Sequence, residues 1–208
     1  MIVRIPSDRN MNDARMRIKD MNAKIKQCAR CRLSETRTHA LCGEGNLSAK
    51  LMLIAQAPGE KEDKSGTMFI GPSGKVLDEL LKMAHIGRKD IYMTNLVKCM
   101  LPKYRRPKSD EIEICSRYLD REIDFISPKI LAPLGYFATR YICGKYDIPI
   151  PSKPEFRRLY GKVIETGNKR ILPLQHPAAV LHDASIKAVL IRNYQKMRLF
   201  LPLDSGVK

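Results

Sequence analysis

Apolar side chains at Ala14, Ile18, Met21 and Ile25 recur every third or fourth position, so residues 11–26 are predicted to form a helix with one buried face. The run 51–54 is apolar throughout and breaks at Pro58 and Gly59, the pattern of a buried strand entering a turn. A glycine-rich loop through Gly66, Gly71 and Gly74 follows. Ser73 reads as the cap of a helix that carries Val76, Leu77, Leu80, Leu81 and Ala84 on one face and stops at Gly87. The unit then recurs: 90–97 is strand-like, 101–108 is a proline-rich basic loop, and Ser109, Asp110 and Glu111 open another helix. Residues 129–134 predict a third strand, a short helix is expected to end at Cys143, and 147–160 reads as an irregular connection. Two more strands are expected at 162–165 and 171–174. After the His176-Pro177 turn, a last helix directs Ile186, Val189, Leu190, Tyr194 and Met197 inward.

Strands that alternate with helices imply a mostly parallel sheet covered on both faces, because parallel neighbours need crossover connections. The expected fold is therefore an α/β, three-layer αβα sandwich. The 208 residues are expected to form one domain, with residues 1–27 as a helical N-terminal extension. In such sheets ligands bind beyond the carboxyl ends of the strands. Gln56, Ala57, Gly59, Asn95 and His176 all fall at or near such ends.

Composition narrows the choice of partner. The 38 Lys and Arg residues outnumber the 22 Asp and Glu residues, a net charge of +16 that sets up a long-range positive field suited to a polyanion. The longest apolar runs, 51–55 and 130–134, are too short to cross a bilayer, so nucleic acid fits better than a membrane. Residues 1–12 do not read as a secretory leader, and a cytoplasmic location is expected, where the six cysteines stay reduced. Aromatic residues are few and Trp is absent, so recognition through phosphates is favoured over an extended stacking surface.

Cys28 and Cys31 form a C-x-x-C pair after the first helix, Cys99 follows a strand, and Cys115 lies in a helix. The pair can bite one metal centre and needs two further ligands. Cys115 taken alone reads as core in preference to a ligand, since Ile112 and Leu119 share its helix face. Spacing does not separate zinc from an iron-sulfur cluster. Cys42 and Cys143 are expected to have no ligand role.

The stretch Ala55-Gln56-Ala57-Pro58-Gly59-Glu60-Lys61-Glu62-Asp63, with Gly66, Phe69, Gly71 and Gly74, resembles the first signature of the iron-sulfur (family 4) uracil-DNA glycosylases. Thr94-Asn95-Leu96-Val97-Lys98-Cys99 and His176-Pro177-Ala178-Ala179 resemble their other two signatures, and the four cysteines fall in the family's order. The resemblance implies a [4Fe-4S] cluster on Cys28, Cys31, Cys99 and Cys115, with zinc the lesser alternative. It also implies a base-flipping repair enzyme that hydrolyses the glycosidic bond of uracil in DNA and acts as a monomer near the nucleoid. Phe69 would stack on the uracil ring, Asn95 would pair with its O4 and N3–H edge, and His176 would aim a donor at O2, with Glu62 a second polar group of the site. Ser73 at a helix start, the basic loop with Lys103, Arg105, Arg106 and Lys108, and the basic stretch with Lys153, Arg157 and Arg158 are candidates to hold phosphates. Val180, Leu181 and His182 would probe the base stack.

Two positions depart from the family wording. Ala55-Gln56 replaces Gly-Glu, exchanging a carboxylate for an amide that cannot act as a general base, and Tyr104 replaces an asparagine. Three readings follow: a working glycosylase, a silent or altered-specificity DNA-binding relative, and a zinc-stapled nucleotide-binding protein supported only by the glycine-rich loop.

Overall fold

The computed structural model describes residues 8–167 and 169–201, with side chains from residue 15 onward. The two ends of the expected 1–208 domain, including residues 1–7 of the expected helical extension, lie outside the described residues. Helix α1 (Asp8–Lys26) follows the predicted spacing, and Ile18, Met21 and Ile25 are buried in the same core as the sheet.

A six-stranded sheet runs in the order β1-β3-β2-β4-β6-β5. Its strands are β1 (Glu44–Gly45), β2 (Leu51–Ala55), β3 (Tyr92–Asn95), β4 (Ile130–Pro133), β5 (Ile164–Thr166) and β6 (Lys169–Ile171). The central strands pair in parallel, Leu53 of β2 lying between Met93 of β3 and Ala132 of β4, while β1 and β5 are antiparallel edges. The connections between strands carry α2 (Glu60–Ser65), α3 (Pro72–Met83), α4 (Ser109–Ile126), α5 (Tyr136–Lys145) and α6 (Lys153–Phe156), while α7 (Ala179–His182) and α8 (Lys187–Gln195) follow β6.

Alternation along β2 divides the apolar residues between two cores. Met52 and Ile54 pack with α1, α4 and α5, whereas Leu51, Leu53 and Ala55 pack with α3 and α8. Helices cover both faces, and the expected three-layer αβα sandwich is what forms. Each fully buried Leu or Ile on β2 contributes roughly 1.5–3 kcal/mol of hydrophobic stabilisation.

Several elements differ from the sequence expectation, each for a local reason. Helix α3 is capped by Gly71 with Pro72 in its first turn, so Ser73 lies inside the helix and is not its cap. It ends at Met83, and His85 (φ 53°) makes the left-handed reversal. Gly87 (φ −87°) instead opens a 3-10 turn over Arg88–Asp90, held by its N–H on the Asp90 carboxylate at 2.9 Å, and this turn delays β3 to Tyr92. The irregular connection 147–160 contains α6 and a 3-10 turn, Arg157–Leu159, which bury Phe156 and Leu159. Pairing of the last parallel strand stops at Ile171 and returns only as a bridge between Leu134 and Leu174. Val189 faces solvent on α8.

A buried polar cluster ties β3 to α4. Lys98 Nζ donates to Glu122 Oε2 and to Thr94 Oγ1, each at 2.6 Å, and Glu122 Oε1 accepts from the Gly43 N–H at 3.2 Å. Neither charged side chain reaches solvent, so both depend on this full set of partners to offset desolvation. Asn95 is thereby anchored one residue from Thr94.

Candidate active site

A cavity of about 440 Å³ opens at the carboxyl ends of the central strands. Gln56, Ala57 and Gly59 from the turn after β2, Glu62 from α2, Phe69 from the following loop, Asn95 from the end of β3, Tyr104 and His176 all line it. Every residue expected from the sequence to touch a substrate is brought to this one place. The turn after β2 is held by continued pairing with β3: the Leu96 and Val97 N–H groups donate to the Ala55 and Gln56 carbonyls at 2.8 and 2.9 Å. Among the described residues neither the Asn95 nor the Gln56 side-chain amide makes a hydrogen bond within the protein, although Asn95 is buried.

His176 follows the Leu174 bridge, its neighbour Gln175 held by the Tyr194 hydroxyl on the Gln175 carbonyl at 3.0 Å. The Ala178 N–H donates to His176 Nδ1 at 3.2 Å, which makes Nδ1 the acceptor and leaves the proton on Nε2. Burial lowers the histidine from its ordinary value of 6.5 to about 4, opposed by the negative charge of Glu62. The imidazole is therefore neutral at physiological pH, with one free N–H donor on the cavity wall.

The Phe69 loop is assembled from several long-range contacts. Glu62 Oε1 accepts the Ile70 and Gly71 N–H groups at 3.0 and 2.7 Å, Arg88 Nη2 donates to the Phe69 carbonyl at 2.7 Å, and Glu44 Oε1 accepts the Met68 N–H at 3.1 Å. They hold Phe69 at φ 53°, a conformation that costs a non-glycine residue on the order of 1–3 kcal/mol. Its ring lies 6.3 Å from the His176 ring, the planes inclined by 29°. Two glycines allow the close approach this packing needs, since a Cβ on Gly59 would meet Glu62 Oε2 at 2.6 Å and one on Gly74 would meet the Phe69 carbonyl oxygen at 1.9 Å.

Residues 42–198 match the Uracil DNA glycosylase superfamily. The chain belongs to that superfamily. It is 38% identical over 185 residues to a type-4 uracil-DNA glycosylase of Sulfurisphaera tokodaii, covering 86% of this chain and 84% of the relative. It is 34% identical to the type-4 enzyme of Archaeoglobus fulgidus, over 86% and 90% of the two chains. With that of Thermotoga maritima the identity is 32%, over 87% and 93%.

For a member of the uracil-DNA glycosylase superfamily, the groups around the cavity mouth divide into braces and free cations. Arg105 is a brace: its Nη1 donates to the buried Glu111 carboxylate at 2.8 Å and to the Arg106 carbonyl at 2.9 Å, while Glu111 also accepts the Lys108 N–H. Lys103 and Arg106 remain exposed, as do Lys153 and Arg157, whereas Arg158 pairs with Glu155 at 2.8 Å. Arg157 lies near enough to Asp183 for its charge to help lower that carboxyl, behind the Ser185 hydrogen bonds. On α7, Leu181 is 52% exposed.

Of the four signature cysteines, Cys99 and Cys115 are buried and Cys28 and Cys31 partly exposed. Burial pushes Cys115 up to about 12 and also raises Cys99; Cys31 acts on both thiols, and Cys28 on Cys99. Two donors point at sulfur: the Lys98 N–H at 3.2 Å from Cys115 Sγ and Arg37 Nη1 at 3.2 Å from Cys99 Sγ. Such donors favour the thiolate form that binds metal. Among the described residues no three His, Cys, Asp or Glu side chains stand in the arrangement that one ion requires. Cys42 donates instead to the Asn22 carbonyl at 3.6 Å, and Cys143 is buried in α5.

Arg88, Glu44 and Asp63 were not singled out from the sequence. Asp63 is buried beside Glu62 in α2 and accepts the Thr38 N–H at 2.9 Å, joining the cysteine-bearing segment to the catalytic side. Each acts through partners more than fifteen residues away, and no local spacing marks such a role.

Proposed function

We propose that this chain hydrolyses the C1′–N1 bond of deoxyuridine in DNA, releasing uracil and leaving an abasic site. One observation carries the reading: an unpartnered Asn95 amide, a neutral Nε2–H donor on His176 and the Phe69 ring share a single cavity beyond the strand ends. A flipped uracil stacks on Phe69 and pairs its O4 and N3–H with the two halves of the Asn95 amide. His176 Nε2–H donates to O2, where negative charge develops as the bond breaks. His176 acts as a hydrogen-bond donor and keeps its Nε2 proton throughout, while the Ala178 N–H on Nδ1 holds the tautomer.

Water activation is the weaker part of the site. Gln56 orients a water through its carbonyl oxygen without taking its proton, which passes to the departing uracil anion as the C1′–OH bond forms, and Glu62 has one carboxylate oxygen committed to two loop amides, so it acts as a positioning residue. Rate then comes chiefly from stabilising the departing uracil. The exposed Lys103 and Arg106, with Ser73 and the α7 turn bearing Leu181, meet the DNA.

Cys28, Cys31, Cys99 and Cys115 would hold a [4Fe-4S] cluster, which supplies a cross-link between the end of α1, the segment after β3 and α4, and takes no part in bond cleavage. The sulfur-directed donors at Cys99 and Cys115 support thiolate ligands at these two positions.

The test is release of uracil from an oligonucleotide, read as alkali-labile abasic sites. Wild type should cleave, and His176→Gln should slow release by roughly 100- to 1,000-fold while leaving DNA binding intact. Wild-type protein that binds DNA and releases no uracil at equimolar enzyme would leave the silent DNA-binding relative as the function.

A further inference from the structure

Tyr104 is the most exposed aromatic side chain among the described residues, 77% accessible, and it lines the same cavity as His176 and Asn95. An exposed tyrosine normally samples several rotamers. This one is held at both ends. Its backbone, with that of Lys103, is in the left-handed region (φ 54° and 53°), in a turn that begins at Pro102 and closes with the Arg105 N–H on the Pro102 carbonyl. At the other end, the Tyr104 hydroxyl donates to Glu60 Oε2 at 3.1 Å, and Lys64 holds the second oxygen of Glu60 at 2.7 Å. Two consecutive left-handed non-glycine residues are strained, and strain of this kind gathers where a side chain must be presented in one orientation. The Arg105–Glu111 brace fixes the loop on its far side.

We propose that Tyr104 is a stacking platform for the nucleobase next to the flipped nucleotide. This rests on the DNA-glycosylase reading of the cavity. Flipping a nucleotide uncovers a face of its neighbour, and an aromatic ring already oriented at the cavity mouth covers that face with little further loss of side-chain freedom. The ring carries no base-specific donor or acceptor pattern, so it tolerates any neighbour and serves single-stranded substrate, where the flanking base has no partner to hold it.

The probe is a single-stranded oligonucleotide with a non-cleavable abasic-site analogue and 2-aminopurine on its 5′ or 3′ side. On binding wild-type protein, the fluorescence of one of the two probes should be quenched. Tyr104→Ala should lose the quench and bind about 5- to 150-fold more weakly, whereas Tyr104→Phe and Glu60→Ala, which both keep the ring and lose its hydroxyl tie, should both fall between Tyr104→Ala and wild type. Unchanged quenching and affinity within twofold in Tyr104→Ala would overturn the proposal, as would binding by wild type with neither probe quenched. Because the probe contains no uracil, failure of uracil release and failure of stacking are read separately.

Discussion

Replacing Gly74 by alanine tests how tightly the Phe69 loop must fit. The added Cβ would lie 1.9 Å from the Phe69 carbonyl oxygen and 2.3 Å from the carbonyl carbon, both backbone atoms. Ordinary contact begins near 3.4 Å, so the Phe69 peptide must retreat by about 1.5 Å from a helix whose backbone cannot yield easily. That peptide is also where Arg88 anchors the loop, and the adjoining Ile70 and Gly71 amides sit on Glu62. A displacement of about 1 Å at a reacting centre costs on the order of a hundredfold in rate. Single-turnover release of uracil from a labelled oligonucleotide should therefore slow about a hundredfold, and overpacking of about 1–3 kcal/mol should lower the melting temperature by several degrees. Gly144→Ala is the control, because a Cβ there meets nothing within 4 Å, and it should leave both quantities at or above wild type. Release by Gly74→Ala within threefold of wild type would refute the claim that the Phe69 backbone position limits the chemistry.

Three further outcomes are expected. His176 has a folded value of about 4 against an ordinary 6.5, so as pH falls through that interval the unfolded chain takes a proton that the folded chain refuses. Its contribution to stability is thus complete above 6.5 and declines toward 4, and the uracil-release rate should show no histidine inflection between about pH 5.5 and 8; an inflection there that vanishes in His176→Gln would contradict the neutral donor. Cys115→Ser should strip iron and visible colour from anaerobically purified protein while Cys143→Ser keeps both, and equal iron in the two variants would remove Cys115 from the ligand set. Glu122→Gln leaves Lys98 buried without its counter-charge, a loss of about 3–5 kcal/mol that should lower the melting temperature by roughly 10 °C, whereas Glu79→Gln, in an exposed pair with Lys187, should shift it by less than about 2 °C.

Much of this molecule is determined by short-range pattern. The fully apolar run that becomes β2, the three-to-four spacing of Val76, Leu77, Leu80 and Leu81, and the strand-end placement of Gln56, Asn95 and His176 follow from period and turn chemistry, which act over a few residues. The cysteine pair is equally legible, since two thiols on one turn are a local feature. Tertiary structure alone decided the rest. Glu62 and Asp63, adjacent in α2, face different partners: one holds the Phe69 loop and the other the segment after Cys31. Arg88 completes the loop from a turn beyond α3. Arg105, read from its charge as a grip on phosphate, also braces its own loop through the buried Glu111 carboxylate. Residue type and spacing report what a side chain is able to do. Which hydrogen-bonding groups reach it, and so whether it binds substrate or braces a loop, depends on segments that only the folded sheet brings together.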